Sequence, residues 1–214
     1  MLMADIVIPG PAGRLEVKHH AQINNPEAPT ALVLHPHPLH GGTMNNKMTY
    51  TLYQSFYRAG FHVCRFNFRG IGKSTGEYDQ GEGELSDTAT VMDWLQVQYK
   101  DSANFWISGF SFGAWIAMQL LMRRPEIAGF VIASPPANKY DFGFLAPCPV
   151  SGLILQGDQD DVVEPSSVNN LVKKLHQQKD IKVAYEMIQG TDHFFLNKLP
   201  EVSKIVEDYL KNSV

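Results

Sequence analysis

The sequence predicts an α/β fold: a doubly wound, mostly parallel sheet of about seven or eight strands that begins with an antiparallel hairpin. The first observation behind this prediction is a series of short segments that are apolar on both faces, as in parallel strands covered on both sides. The second is that segments of helical length, with apolar residues three and four positions apart, lie between them. Strand and helix in alternation give right-handed crossovers and therefore helices on both faces of the sheet.

The first predicted element is a hairpin. Two extended segments, Asp5–Ile8 and Leu15–His20, flank the turn sequence Pro-Gly-Pro-Ala-Gly, which favours two antiparallel strands at the start of the sheet. The 214 residues show no internal repeat, low-complexity tract or linker, so we expect one domain over residues 1–214.

Six strands and five helices are predicted after the hairpin. The strands are expected at Ala31–His35, His62–Phe66, Phe105–Ser108, Gly129–Ala133, Gly152–Gln156 and Val183–Ile188. The helices are expected at Thr49–Ala59, Glu84–Tyr99, Phe112–Arg123, Ser166–Gln177 and Pro200–Lys211. The first helix places Leu52, Phe56 and Tyr57 on one stripe, and the third is apolar nearly all round and should be deeply buried. Residues 135–149 contain four prolines and no clear helical period, so we expect a loop or a short turn of helix there.

The charge balance and the cysteines restrict the partners and the location of the protein. Eighteen basic and 22 acidic residues give a net charge of −4, which argues against binding to nucleic acid or to an anionic membrane. Two cysteines, Cys64 and Cys148, form neither a disulfide framework nor a metal-binding cluster and fit a reducing compartment. The first residues carry no targeting signal, and no apolar run is long enough for a transmembrane helix. We therefore expect a cytoplasmic protein.

The strongest local motif is Gly109-Phe-Ser111-Phe-Gly113, between a predicted strand and a predicted helix. A serine on so tight a turn has strained backbone angles, and glycines two positions away on either side remove the steric clash. The start of the helix also supplies N–H groups and a partial positive charge beside the hydroxyl. The motif predicts Ser111 as a nucleophile; the simpler alternative is a tight turn without a catalytic role.

A nucleophilic serine needs a base and a carboxylate that orients the base. In this type of fold the chain order is serine, acid, histidine. His193 follows the last predicted strand and is the candidate base. The loop after the preceding strand contains three candidate acids, Asp158, Asp160 and Asp161, which the residues alone do not separate. We expect the two that are not the acid to be solvated.

With these residues the chain resembles the α/β-hydrolase family over nearly its whole length, and more closely a compact, lidless bacterial subgroup of serine hydrolases. The resemblance rests on the motif around Ser111 and on His-Pro-His-Pro at 35–38, Gly-Gly-Thr-Met at 41–44 and Arg-Phe-Asn-Phe-Arg-Gly at 65–70. Family members often carry a glycine, then an aspartate and a valine at successive spacings of three, which here selects Gly157, Asp160 and Val163. The resemblance thus implies Asp160 as the acid. Dienelactone hydrolases look like more distant relatives, but they use a cysteine where this chain has Ser111.

An oxyanion hole needs two N–H donors. The residue after the nucleophile, Phe112, should supply one, and the loop after the first parallel strand the other. Proline has no N–H, so His37, Leu39 and His40 remain in that loop. The resemblance implies His37, because many family members donate from the third residue of a His-Gly-x sequence at this place.

The same loop contains a competing motif. His35, His37 and His40 form H-x-H-x-x-H, which is similar to the two-metal site of metallo-β-lactamase-like enzymes. The aspartate of that site is replaced by Leu39, and a metal site would leave the motif around Ser111 unexplained. We therefore expect no metal and no organic cofactor.

Together these features predict a serine hydrolase that cleaves small carboxylic esters through an acyl-enzyme intermediate. A thioesterase or peptidase of the same fold remains open, as does a non-catalytic binding protein. About fifteen residues separate two strands at the point where larger relatives insert a cap domain, so we expect no cap. The site should then be an open groove, walled by residues 35–42, 76–84 and 135–149, that prefers short acyl chains.

Overall fold

Strands and helices alternate along the chain, as the spacing of its apolar residues predicts. The computed structural model describes residues 3–213, so the predicted domain limits at residues 1 and 214 lie outside the described residues. The strands are β1 (Met3–Gly10), β2 (Gly13–His20), β3 (Thr30–Leu34), β4 (His62–Phe66), β5 (Phe105–Phe110), β6 (Ile127–Ala133), β7 (Gly152–Gly157) and β8 (Val183–Ile188). The helices are α1 (Lys47–Arg58), α2 (Glu82–Gln98), α3 (Phe112–Leu121), α4 (Pro165–His176) and α5 (Leu199–Lys211).

The eight strands of the described residues form one sheet in the order β1-β2-β4-β3-β5-β6-β7-β8. β1 and β2 form the antiparallel hairpin, and β2 pairs antiparallel with β4. The remaining pairs, from β4 across to β8, are all parallel. The predicted fold class, a mostly parallel sheet with an antiparallel hairpin at its start, is therefore confirmed.

The first helix begins two residues earlier than predicted, and it buries Leu52 and Phe56 of the predicted stripe. Oδ1 of Asn46 accepts a hydrogen bond of 2.9 Å from N of Met48. Because of this N-cap, α1 begins at the next residue, Lys47. Tyr53 is fully buried on the inner side of α1. The prediction was wrong for Tyr57, which is half-buried, because its ring stacks on the ring of His20 at 3.6 Å instead of entering the core.

The helices cover both faces of the sheet. α1 and α5 pack on one face, where they share an apolar cluster with Val33, Phe110 and Val131. α2, α3 and α4 pack on the other face. Eight of the ten residues of α3 are buried, as its apolar sequence predicts. The start of this helix is therefore held firmly against the sheet.

The loops that follow the parallel strands meet at one end of the sheet, where doubly wound folds bind their ligands. Between β6 and β7 the chain forms a single 3₁₀ turn, Gly143–Leu145, so the described residues contain no cap domain. Within residues 3–213 no helix is both long and apolar enough to cross a membrane.

Candidate active site

Ser111 lies on a tight turn between β5 and α3. Its φ of +55° is in a region that side chains other than glycine rarely adopt. A Cβ at Gly109 would lie 2.3 Å from the carbonyl oxygen of Gly113, and a Cβ at Gly113 would lie 2.5 Å from the carbonyl oxygen of His35. Close approach of backbone to backbone therefore requires both glycines of the motif, and it is this packing that holds the strained serine in place.

His193 follows β8 and is 4% exposed. Its Nε2 lies 3.2 Å from Oγ of Ser111, although 82 residues separate the two in sequence. The rings of Phe110 and Phe194, with centroids 4.9 and 5.2 Å from that of His193, pack against the imidazole and restrict its orientation. In its neutral form the ring is placed to accept the proton of the serine hydroxyl.

Asp160 is hydrogen-bonded on both carboxylate oxygens. Oδ2 lies 2.8 Å from Nδ1 of His193 and accepts hydrogen bonds from Oγ of Ser134 (2.9 Å) and Nε2 of Gln156 (3.0 Å). Oδ1 accepts a hydrogen bond of 2.7 Å from N of Val163. Burial alone would raise the pKa of this carboxyl, but the hydrogen bonds from His193, Val163 and Ser134 outweigh burial and hold the pKa below its ordinary value. Asp160 is therefore a charged and fixed partner of the imidazole.

The other two carboxylates of this loop have different surroundings. Asp161 is exposed, as expected. Asp158 is half-buried, and its Oδ1 accepts hydrogen bonds from N of Gly190 (2.7 Å) and N of Thr191 (3.3 Å). The expectation that both would be solvated was wrong for Asp158, because the loop that carries His193 packs against it.

Ser134 and Gln156 are partners of Asp160 that the sequence analysis missed. Ser134 directly follows β6 and has a φ of +42°. The buried Oε1 of Gln156, near the end of β7, has no hydrogen-bond partner among residues 3–213. Both features carry an energetic cost, while Oγ of Ser134 and Nε2 of Gln156 hold Asp160. The signal available in the sequence was a polar residue at the carboxyl end of each of two neighbouring strands.

The backbone N–H groups of Phe112 and His37, two of the candidate donors at the cavity that contains Ser111, have no hydrogen-bond acceptor within the described residues. The alternatives are engaged: N of His40 donates to O of His37 at 3.1 Å, and N of Leu39 donates to Nδ1 of His37 at 3.2 Å. The rings of His37 and Phe112 lie 4.9 Å apart. Among the candidate donors, the amides of Phe112 and His37 are thus the two that no acceptor of the described residues occupies.

The histidines of the H-x-H-x-x-H motif are not arranged around one point. Nδ1 of the fully buried His35 is hydrogen-bonded to O of Pro36 at 2.7 Å, and its Nε2 accepts a hydrogen bond of 3.1 Å from N of Phe68. His37 and His40 stack on each other with ring centroids 4.4 Å apart. Among the described residues, no three His, Cys, Asp or Glu side chains are grouped as metal ligands would be.

A cavity of about 320 Å³ is lined by Ser111, His193 and Phe112. Its remaining walls come from residues 36–46, from the loop after β6 at residues 136–140, and from residues 162–163 and 194. The cavity lies at the carboxyl ends of the strands, where this fold places its ligands. Its volume is at the lower end of the range for small-molecule sites, about 300–1,000 Å³.

The expectation that residues 76–84 wall the cavity was wrong, since none of them is among the lining residues of the described structure. Tyr78 instead lies behind His37, with ring centroids 4.9 Å apart. The segment is held there because Oε2 of Glu84 accepts a hydrogen bond of 2.8 Å from N of Gly81 at the start of α2.

A larger cavity of about 940 Å³ lies at the opposite end of the sheet, between β8 and α5. Two of its polar side chains are engaged in structural contacts: Oγ of Ser151 accepts a hydrogen bond from N of Lys182 at 2.9 Å, and Nε2 of His176 is bonded to O of Val183 at 2.7 Å. No serine in it is bonded to a histidine within the described residues. The smaller cavity is therefore the candidate active site.

Comparison with known proteins relates the chain to hydrolases. The model of the X-Pro dipeptidyl-peptidase (S15 family) matches residues 2–189. A protein of unknown function from Agrobacterium tumefaciens, described as an α/β hydrolase, is 51% identical with a TM-score of 0.94, and the match covers 98% of this chain and 95% of that one. A serine hydrolase without a lid from Xanthomonas campestris is 30% identical with a TM-score of 0.88, covering 98% and 94% of the two chains.

Two relatives are similar in sequence over most of this chain. An uncharacterized protein of Rickettsia prowazekii is 52% identical over 212 residues, which are 97% of this chain and 89% of that protein. A lysophosphatidylserine lipase of Xenopus tropicalis is 24% identical over 242 aligned positions that cover 92% of this chain, but the match spans 61% of the lipase. The expected distant similarity to dienelactone hydrolases stays a prediction.

Proposed function

Because the chain belongs to the S15 family of α/β serine hydrolases, we propose that it hydrolyses small carboxylic esters, with Ser111 as nucleophile, His193 as base and Asp160 as the carboxylate that orients the base. The observation that carries this proposal is the chain of contacts from Oγ of Ser111 through both ring nitrogens of His193 to Oδ2 of Asp160, at 3.2 and 2.8 Å. The same constellation performs acyl transfer in hydrolases of unrelated fold.

In the first half of the reaction, Oγ of Ser111 attacks the carbonyl carbon of the ester while Nε2 of His193 takes the hydroxyl proton. Asp160 stays ionised because its pKa is below the ordinary value, so it keeps Nδ1 protonated and stabilises the imidazolium. The N–H groups of Phe112 and His37 donate to the carbonyl oxygen as it becomes negative. The imidazolium then gives its proton to the leaving alcohol, and the acyl-enzyme remains.

In the second half, a water molecule replaces the alcohol and attacks the acyl carbon. His193 takes a proton from this water and returns it to Oγ of Ser111 as the acid leaves. One ester and one water are consumed, and one alcohol and one acid are produced. The side chains of Ser111, His193 and Asp160 end the cycle in the states in which they began it.

The relatives support ester chemistry, although a shared fold alone does not assign a substrate. A lysophosphatidylserine lipase is by its name a hydrolase of an ester lipid, and it matches most of this chain. The Xanthomonas protein is by its name a serine hydrolase without a lid. The second name agrees with a serine nucleophile in an uncapped site, and the first agrees with ester chemistry.

The S15 match favours a second candidate function, removal of X-Pro dipeptides. A dipeptidyl-peptidase must bind the free ammonium group at the end of its substrate, for which a carboxylate near the nucleophile is the strongest partner. No aspartate or glutamate lines the cavity in the described part of the chain, whereas Lys139 does. The site therefore supports ester hydrolysis better, and an X-Pro p-nitroanilide should be a far poorer substrate than p-nitrophenyl butyrate.

A fluorophosphonate probe together with p-nitrophenyl esters tests the proposal. Wild-type protein should be labelled and should turn over p-nitrophenyl butyrate, and Ser111→Ala should abolish labelling and lower turnover by roughly a thousandfold or more. Ser166→Ala, which removes an exposed hydroxyl from α4, is the matched control and should behave as wild type. Labelling or turnover that persists in folded Ser111→Ala would refute the assignment of the nucleophile.

We also propose that the protein acts in the cytoplasm. The support is that both cysteines, Cys64 and Cys148, are free and buried, as is usual for thiols in a reducing compartment. Fractionation of cells that produce the protein from its own gene would test this, and recovery from an extracellular or periplasmic fraction would contradict it.

A further inference from the structure

Asn46, on the wall of the cavity, offers hydrogen-bond donors but no acceptor. Its Oδ1 is used as the N-cap of α1 and accepts hydrogen bonds from N of Met48 (2.9 Å) and N of Thr49 (3.3 Å). The Nδ2 group has no acceptor within the described residues. Because an amide group has one acceptor atom and two N–H donors, the side chain can add only donors to a ligand here.

The side chain of His37 also offers a donor, because the acceptor atom of its ring is already used by the backbone. Burial, followed by repulsion from His40 and Lys139, lowers the pKa of His37 below the ordinary value of 6.5, so the ring is neutral at pH 7. Nδ1 of this neutral ring accepts the N–H of Leu39 at 3.2 Å. The single ring proton is therefore on Nε2, which is a donor.

Lys139 adds a positive charge to the same cavity. Within the described residues its ammonium group forms no ion pair with a carboxylate. The turn that carries Lys139 is fixed on both sides, because Nδ2 of Asn138 donates to O of Val162 at 3.1 Å and the ring of Tyr140 stacks on Trp115 at 4.3 Å. The fixed turn keeps the backbone of the exposed Lys139 at the cavity wall.

No negative charge balances Lys139 on the described cavity wall, since no aspartate or glutamate lines it. The carboxylate of Asp160 lies on the far side of the His193 ring from Ser111 and accepts five hydrogen bonds of its own. The protein as a whole carries a net charge of −4, so the cavity is opposite in sign to the chain that forms it. A positive cleft concentrates anionic ligands.

We propose that the substrate is an ester that carries a second, anionic group, a carboxylate or a phosphate, and that Lys139 pairs with this group while the side chains of His37 and Asn46 donate hydrogen bonds to it. This inference rests on the proposed ester hydrolysis at Ser111 and adds the class of substrate. The anionic group must be separate from the reacting carbonyl, whose oxygen is bound by backbone N–H groups.

Matched pairs of esters test the proposal in both halves of the substrate. In the acyl half, mono-p-nitrophenyl glutarate is compared with p-nitrophenyl pentanoate, in which a methyl group replaces the carboxylate. In the alcohol half, 3-butyryloxybenzoate and 3-butyryloxyphenyl phosphate are each compared with phenyl butyrate. The measured quantity is the selectivity ratio, kcat/KM for the anionic ester divided by kcat/KM for its neutral partner.

For the wild-type protein we expect a selectivity ratio above one in at least one pair. Lys139→Gln should lower this ratio about tenfold, which corresponds to about 1.4 kcal/mol, and Lys139→Arg should restore most of it. Lys204→Gln removes an exposed lysine of α5 that does not line the cavity, and it should leave the ratio unchanged. Added salt should lower the ratio of the wild type more than that of Lys139→Gln.

Two results would overturn the inference: a selectivity ratio at or below one in every pair, or a ratio that Lys139→Gln leaves unchanged. Failure of the proposed function looks different, because then neither the neutral nor the anionic esters would be hydrolysed in a Ser111-dependent manner. A variant that folds less completely lowers both rates of a pair together, so loss of folded protein does not alter the ratio.

Discussion

Oγ of Ser134 donates a hydrogen bond of 2.9 Å to Oδ2 of Asp160, the same oxygen that lies 2.8 Å from Nδ1 of His193. The backbone of Ser134 is strained at a φ of +42°. Strain of this kind persists where the surrounding structure over-determines the conformation, and it concentrates at functional sites. We interpret Ser134 as a positioning residue that fixes the direction of the Asp160 carboxylate.

Ser134→Ala and Ser134→Gly should both lower kcat about tenfold, because each removes a hydrogen bond to a charged group, which contributes about 1.5–3 kcal/mol. The two variants differ in the backbone, since glycine alone relieves the positive φ. Thermal unfolding should therefore give a higher Tm for Ser134→Gly than for Ser134→Ala at similar kcat. Full activity in both variants would rule out the positioning role.

Asp160→Asn should lower kcat by roughly ten-thousandfold, because an amide facing Nδ1 of His193 favours the wrong imidazole tautomer. Asp158→Asn is the matched control. Its side-chain oxygen can still accept the N–H of Gly190, so kcat should stay near that of the wild type. The assignment of the acid would be reversed if Asp158→Asn lost activity while Asp160→Asn kept it.

Gly113→Ala should lower the free energy of unfolding by roughly 1–3 kcal/mol and reduce activity, because its Cβ would lie 2.5 Å from the carbonyl oxygen of His35 and 2.6 Å from that of Leu34. Gly60→Ala controls for the loss of a glycine. At Gly60 the φ is +95° but a Cβ would have no heavy atom within 4 Å, so the cost is backbone strain of about 1 kcal/mol. Urea unfolding curves measure both values, and equal stability of Gly113→Ala and wild type would contradict the packing argument.

The buried His35 should make the protein less stable in mild acid. Burial lowers the pKa of His35 from 6.5 to about 3. Protonation of Nε2 would in addition break the hydrogen bond that this atom accepts from N of Phe68. The unfolded chain therefore binds a proton below pH 6.5 that the folded chain excludes, and the free energy of unfolding falls with pH through the window from 6.5 to 3. At pH 5 the contribution of His35 is a loss of about 2 kcal/mol.

Urea unfolding at pH 7 and pH 5 measures this loss. Burial also lowers the pKa values of His19 and His62, so these two residues likewise lower the free energy of unfolding at pH 5. They do so equally in wild type and in a His35 variant. His35→Gln should therefore show a smaller decrease between the two pH values than wild type, whatever its stability at pH 7. An equal decrease in both proteins would show that His35 does not contribute.

Acyl chains from acetyl to butyryl should be preferred over decanoyl and longer chains. The cavity of about 320 Å³ has no cap above it in the described structure, so methylenes beyond the first few remain in water. A buried methylene contributes about 0.8 kcal/mol, so kcat/KM should rise with chain length and then level off early. A series of p-nitrophenyl esters measures this, and continued growth to decanoyl or a jump in activity at a lipid interface would contradict it.

Much of the fold could be predicted because local rules decide it. β4 and β8 have the bounds that their apolar runs predict, and the glycines around Ser111 mark the turn between β5 and α3. The start of α1 was missed by two residues because its cap, Asn46, is itself outside the apolar pattern. The wall expected from residues 76–84 was wrong because contacts of Glu84, and not the composition of the segment, decide where the segment lies.

The sequence by itself determined the strand and helix pattern, the strained turn at Ser111 and a late histidine after the last strand, since each depends on neighbours within a few residues. The tertiary structure alone decided which atoms meet. Oγ of Ser134 is 26 residues, and Nδ1 of His193 is 33 residues, from the Asp160 oxygen that they share, and Ser111 is 82 residues from His193. Contacts between residues so far apart in sequence follow from the register and order of the strands in the sheet. The packing of the whole core sets this register and order, and no local pattern does.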